Sequence, residues 1–412
     1  MIFALLACDG GPLPVATTPG PGDTGPVAEA PGGGDDGDGD GDGDGDGDGD
    51  DGDDNWGCSE LFDQDRLPVY EIEIEEGDWR YLQTQWRTAD GTKDYVPISR
   101  LLVDGEEAPP SMIRLKGNNS CCWVGEKMQF VVAFNEVDED ARFHGQRKVA
   151  FDSPFYEPTV LKNRLANWYL HRVGLPGACT NNALVYVNGD YYGIYAHMEE
   201  LDREFLERHF GNDNADGDLW KYGYILDNHE DEDVDTSRIE QFWASYRPED
   251  FAPMGEPEEW VSEWAAEAML PDGDGYWCCG HNYYLYDHPE RGFLWVPWDK
   301  DGTFDWVAAD SDPFTIWYPD YTPHMTYLLA EDEHYRAFAS EMSRQLEFYG
   351  SDEMLGLLAE WQAQTYEWGL ADPYRYYDDS YYEYYMDSLP AYVAARRAYL
   401  EYRVPHELES LD

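Results

Sequence analysis

Residues 184–197 read Leu-Val-Tyr-Val-Asn-Gly-Asp-Tyr-Tyr-Gly-Ile-Tyr-Ala-His. β-Branched and aromatic residues run up to Asn188-Gly189 and resume after it. Asn-Gly accepts the positive φ that a tight hairpin turn demands, so the stretch predicts two antiparallel strands, 184–187 and 192–197. Upstream, 69–74 (VYEIEI), 112–115 and 128–134 also alternate as strands. Leu161, Leu165, Tyr169 and Val173 recur every four residues, and Gly174 closes that helix. Downstream, 239–246 and 260–270 read as helices, 293–296 as a short strand, and the pattern is mainly helical from Glu333 onward. Strands with one helix early and helices later predict an α+β protein of two lobes. The strand-rich N-lobe is expected at about 58–200 and the mainly helical C-lobe at about 201–412.

The chain has 412 residues, with 86 Asp+Glu against 27 Lys+Arg and a formal charge of −59. Aromatic residues make up 16%, enough to build a large core and to exclude global disorder. Nucleic acid needs basic patches, and this balance argues against it as a partner. No apolar run is long enough to span a bilayer as a helix. Residues 34–54 hold 12 Asp and otherwise only Gly, yet 74 acids against 27 bases remain without them. A phosphate handled by such a surface must rely on metal ions and a few local cations.

Leu5-Leu6-Ala7-Cys8 looks like a bacterial lipobox. It predicts a lipoprotein signal at 1–8, lipid on Cys8 and no other membrane attachment, hence export to the periplasm or cell surface. Residues 9–57 are rich in Gly, Pro and Asp and predict a disordered spacer rather than calcium loops, because no bidentate Glu follows at the right place. Residues 58–412 form the folded unit. Besides Cys8, six cysteines remain: Cys58, Cys121, Cys122, Cys179, Cys278 and Cys279. An even count in an exported chain predicts disulfides, and adjacent Cys-Cys pairs suit no zinc site. Their connectivity stays open.

Several motifs together resemble the CotH kinase family. Arg114-Leu115-Lys116-Gly117-Asn118-Asn119-Ser120 is similar to its Arg-x-Arg-Gly-Asn-Ser-Ser signature, and Lys127-Met128-Gln129-Phe130 to the strand that follows. Leu161-Lys162-Asn163-Arg164-Leu165-Ala166 resembles its Arg-Asn-x-Leu-Ala helix. The hairpin with Glu199, the block Asn282-Tyr283-Tyr284-Leu285-Tyr286, and Pro297-Trp298-Asp299-Lys300-Asp301 follow in the family's order. The resemblance implies a protein-kinase-like fold that moves phosphate from ATP to protein Ser or Thr, using Mg²⁺ or Mn²⁺. It makes Asp299 the main metal ligand, Asp301 a second carboxylate and Asn282 a neutral oxygen donor. The catalytic Asp is Asp272 or Asp274, with Asp274 preferred because it carries the Asp-Gly. Its eight-residue distance to Asn282 departs from the usual kinase spacing of about five. Lys127 is the expected phosphate-holding lysine, with Arg114, Lys116, Gly117, Asn118 and Ser120 around the phosphates and Glu199, or Glu200, near the hinge between lobes.

Other features read more plainly. His281 is expected to be a loop residue, and the tyrosines of 366–392 a packed surface under a long loop. A fold kept for a structural or adhesive role without catalysis stays open, as does a disulfide between the Cys121/Cys122 and Cys278/Cys279 pairs across the cleft.

Overall fold

The computed structural model describes residues 56–89, 91–117, 123–229 and 234–412. The expected signal, nearly all of the spacer, Asn118, Ser120, Cys121 and Cys122 lie outside them.

Nine strands build the N-terminal sheet: β1 (Val69–Glu73), β2 (Val96–Pro97), β3 (Arg100–Val103), β4 (Glu106–Glu107), β5 (Met112–Leu115), β6 (Phe130–Ala133), β7 (Lys148–Asp152), β8 (Thr180–Val187) and β9 (Asp190–Glu199). Their order is β2-β5-β6-β7-β9-β8-β1-β3-β4. Neighbours are antiparallel except β1 and β8. The hairpin β8–β9 turns at Asn188 and Gly189, with φ of 52° and 87°. The Asn188 amide also brackets Ile74, accepting from its N–H at 2.8 Å and donating to its carbonyl at 3.0 Å. The turn residue thus ties the hairpin to the end of β1.

β6 is buried along its whole length, and Phe130, Phe151 and Tyr195 pack on one face of the sheet. The helix Glu76–Thr88 covers that face with Leu82 and Trp86. The helix Lys162–Arg172 is buried almost all round. It lies between sheet and C-terminal helices, so its polar residues need internal partners: Arg164 donates to Gln64, Asn182 and Gln364. Cys58 and Cys179 form a disulfide that ties the start of the folded chain to the start of β8. Cys278 and Cys279 are free thiols.

The C-terminal part is mainly helical around a smaller sheet. β10 (Asp218–Lys221), β11 (Ile225–Leu226), β12 (Tyr283–His288) and β13 (Gly292–Pro297) run in the order β11-β10-β12-β13. The helices Pro257–Met269, Asp332–Gln345, Asp352–Ala371 and Asp379–Leu411 close over a core rich in Trp260, Trp264, Trp295 and Trp361. The tyrosine run differs from expectation. Tyr381 to Tyr385 belong to the helix Asp379–Leu411, with Tyr382 buried and Tyr384 exposed, so it is a helix face and not a loop cover. The architecture is α+β with a strand-rich N-terminal part and a helical C-terminal part, consistent with a bilobal kinase-like fold. Strand ends supply the site. β5 delivers Lys116, β7 ends on Asp152, β12 starts after Asn282, and β13 leads to Asp299.

Candidate functional site

Asn282 and Asp299 both take left-handed backbone, with φ of 44° and 51°. Asn and Asp tolerate that region better than bulkier residues, and here it turns each chain sharply at a strand end. The Trp298 N–H donates to the Asn282 carbonyl at 3.1 Å. The Asn282 amide donates to Asp274 Oδ2 at 2.9 Å and reaches the Asp299 carbonyl at 3.5 Å. Three of the expected site residues therefore share one corner despite the long Asp274-to-Asn282 loop. Most of that loop is the short helix Tyr276–Cys279.

Asp152, Asp299 and Asp301 offer carboxylate oxygens within 4.8 Å of one another. Three carboxylates this close repel, and burial adds to the cost of their charge. Burial pushes the Asp152 carboxyl up to about 6, with Lys116 opposing and Asp299 reinforcing. Burial, then Asp299 and Asp152, holds Asp301 well above the ordinary carboxylate range. Lys116 lies 3.0 Å from Asp152 and 3.9 Å from Asp299, but one ammonium faces three acids. Asp152 Oδ1 and Asp299 Oδ1 are buried without a hydrogen-bond partner among the described residues. Hard, crowded, unsatisfied oxygens of this kind fit a divalent cation such as Mg²⁺ or Mn²⁺.

Asp272 and Asp274 have distinct surroundings. Asp272 is fully buried, and Lys300 Nζ lies 2.6 Å from it and 2.6 Å from Glu267. Burial opposes charge on Lys300, but Asp272, Glu267 and Glu263 outweigh it and hold the ammonium pKa above its usual value. The other oxygen of Asp272 accepts the Asp274 N–H at 3.0 Å, and the Gly273 N–H donates to the Gly302 carbonyl at 3.0 Å. Lys300 thereby clamps the 272–274 turn to the 299–302 turn. Asp274 keeps a side chain 32% exposed, with His281 3.3 Å away. That imidazole stacks on Tyr222, the centroids 4.7 Å apart. Of the two aspartates, only Asp274 has an oxygen open to an incoming hydroxyl.

The remaining expected residues are dispersed. Lys127 precedes β6 and is buried. Its ammonium pairs with Asp372 and donates to the Ile194 carbonyl at 2.6 Å, so it does not touch the acidic trio. Asp372 also accepts the Ile194 N–H at 3.2 Å, a contact that the missing Cβ of Gly193 permits. Glu199 is buried, pairs with Arg208 and accepts the Cys179 N–H at 3.0 Å. It too stands apart from the trio. Arg114 leans over the Tyr95 ring at 5.4 Å, and Gly117 follows Lys116 with φ of 87°. Asp301 accepts the Tyr156 hydroxyl at 2.8 Å.

Asp152 escaped the sequence reading. It ends the strand Lys-Val-Ala-Phe-Asp, and a single acid at the end of an apolar strand gives no signal of its own. Sheet register alone brings it to the cluster.

Comparison with known proteins agrees with the motifs. The family described as CotH kinase protein matches residues 113–252 and 259–400. Inner spore coat protein H of Bacillus subtilis (strain 168) is 21% identical over 273 residues, covering 58% of this chain and 70% of that protein.

Proposed function

Since the chain belongs to the CotH kinase family, we propose that it transfers the γ-phosphoryl group of ATP to Ser or Thr of protein substrates, with Mg²⁺ or Mn²⁺ as cofactor. The single observation that carries this reading is the trio Asp152, Asp299 and Asp301, whose oxygens crowd within 4.8 Å. In this reading the trio holds the metal, with Asn282 alongside. The bound ion supplies charge neutralisation on the phosphates. Asp274 accepts the proton of the substrate hydroxyl and orients its oxygen for attack. Lys116, already beside Asp152 and Asp299, is better placed than Lys127 to face a phosphate. Lys300 keeps the two acidic turns in register. The matched relative's name supports a surface or coat-associated location.

The test is incubation of the protein with labelled ATP and Mn²⁺ beside an Asp299→Ala control. Label transferred by the parent and not by the variant supports the reading. A second reading, a fold kept for a structural role, draws on one observation: Lys127 is spent on Asp372 and is not free for a phosphate. Equal label from both proteins, or none from either, favours it.

A further inference from the structure

The acidic trio needs its oxygens held together while like charges push them apart. Lys116 does this for Asp152 and Asp299, at 3.0 and 3.9 Å. Asp301, on the turn Lys300–Gly302, is held by a different kind of donor, the Tyr156 hydroxyl at 2.8 Å. The difference is chemical. An ammonium offsets part of the negative charge that a divalent ion would use, and it competes with that ion for the oxygens. A phenol fixes the direction of the carboxylate and leaves its charge in place. A carboxylate that accepts one hydrogen bond keeps further lone pairs for a metal.

The fold brings Tyr156 to this position by local means. It stands four residues beyond Asp152, the last residue of β7. The Glu157 N–H donates to the Pro154 carbonyl at 3.1 Å, closing a turn that carries Tyr156. Glu157 is itself buried and accepts the Thr159 N–H at 3.1 Å, which anchors the far end of that turn. The Tyr156 ring stands edge-on to Phe155 at 5.2 Å and to Trp306 at 4.7 Å. Trp306 in turn packs on Gly273, where a Cβ would clash with its ring. Packing thus links Tyr156 through Trp306 to the turn that carries Asp274, while its hydroxyl reaches Asp301.

We propose that Tyr156 is a positioning residue, whose hydroxyl aims the Asp301 carboxylate at a divalent ion shared with Asp152 and Asp299. The proposal rests on the metal-holding part of the phosphotransfer reading, and Tyr156 lies outside every motif that marks the family resemblance.

The test is calorimetric titration of the full chain with Mn²⁺, using the parent, Tyr156→Phe, Asp301→Asn and the double variant. Tyr156→Phe keeps the ring against Phe155 and Trp306 and removes only the hydroxyl, so a packing role predicts the affinity of the parent. Side chains that orient metal ligands typically contribute about tenfold or more to affinity, and the positioning role predicts a loss of about tenfold in Tyr156→Phe. Asp301→Asn should lose at least as much, and adding Tyr156→Phe to it should cost nothing further, because the hydroxyl acts through that carboxylate. Tyr156→Phe alone decides the matter should the double variant not fold. Parent affinity in Tyr156→Phe, a further tenfold loss when it is added to Asp301→Asn, or a parent that binds no Mn²⁺ overturns the proposal. Weaker binding in Asp301→Asn with none in Tyr156→Phe removes the positioning role and leaves the phosphotransfer reading. The expected losses in a protein that never transfers label from ATP keep the positioning role and remove that reading.

Discussion

Replacing Lys300 with methionine removes the positive charge that Glu267 and Asp272 share, while a similar volume fills the space. Both carboxylates are fully buried, and Lys300 Nζ lies 2.6 Å from each. Leaving buried charges without their counter-charge costs about 3–5 kcal/mol. Unfolding entropy of about 2.1 cal/mol/K per residue gives about 0.75 kcal/mol/K for a unit of about 350 residues, so Tm should fall by about 4–7 °C near neutral pH. The loss should depend on pH. Burial holds Asp272 up at about 6 even with Lys300 present. An acid with a folded pKa above its unfolded value binds its proton more tightly when folded, so its contribution to stability falls as pH rises from about 4 to about 6. Without Lys300 that pKa climbs further and the window widens upward. The deficit of the variant against the parent should therefore be larger at pH 8 than at pH 5. Thermal unfolding followed by circular dichroism at both pH values measures it. Lys300→Met/Glu267→Gln should recover part of the loss, because a neutral amide replaces one stranded charge. A Tm within 1 °C of the parent at pH 8, or a deficit that does not shrink at pH 5, refutes the clamp.

Further outcomes follow from other contacts. Asp372→Asn strands the buried Lys127 ammonium and should cost about 3 kcal/mol in urea unfolding; an unchanged midpoint means Lys127 has another partner. Gly193→Ala places a methyl 2.5 Å from Asp372 Oδ2 at a φ of +145°, so it should destabilise by more than 1 kcal/mol; a neutral result means the Asp372 turn moves aside freely. The Cys58–Cys179 bond spans 121 residues of sequence, and the chain-entropy treatment assigns about 4–5 kcal/mol to a loop of that size. Cys58→Ser should lower Tm accordingly and abolish the linked peptide in a non-reducing digest, and a linked pair elsewhere contradicts the pairing.

The fold was readable where local chemistry and tertiary packing agree. Asn188-Gly189 announced the β8–β9 hairpin because the turn demands those residue types wherever it occurs. Gly174 and the four-residue spacing of Leu161 to Val173 announced the central helix for the same reason. The helix Glu76–Thr88 was not expected, although Trp79, Leu82 and Trp86 recur at i, i+3 and i+7, the spacing of a half-buried helix face. The site divides in the same way. Asn282 and Asp299 carry recognisable neighbours and converge through strand ends. Asp152 reaches the cluster through the pairing of β7 with the distant β9, and no local pattern encodes such a pairing. The family resemblance made Lys127 the expected phosphate-holding lysine, but its buried partner Asp372 comes from 245 residues later in the chain. No local window reports that partner.

Titration with Mn²⁺, following the free ion by electron paramagnetic resonance, shows whether Asp152, Asp299 and Asp301 together hold a divalent ion. The parent should show saturable Mn²⁺ binding, and Asp152→Asn, which keeps shape and volume, should weaken it at least tenfold. Binding that is absent from the parent, or identical in Asp152→Asn, contradicts that coordination.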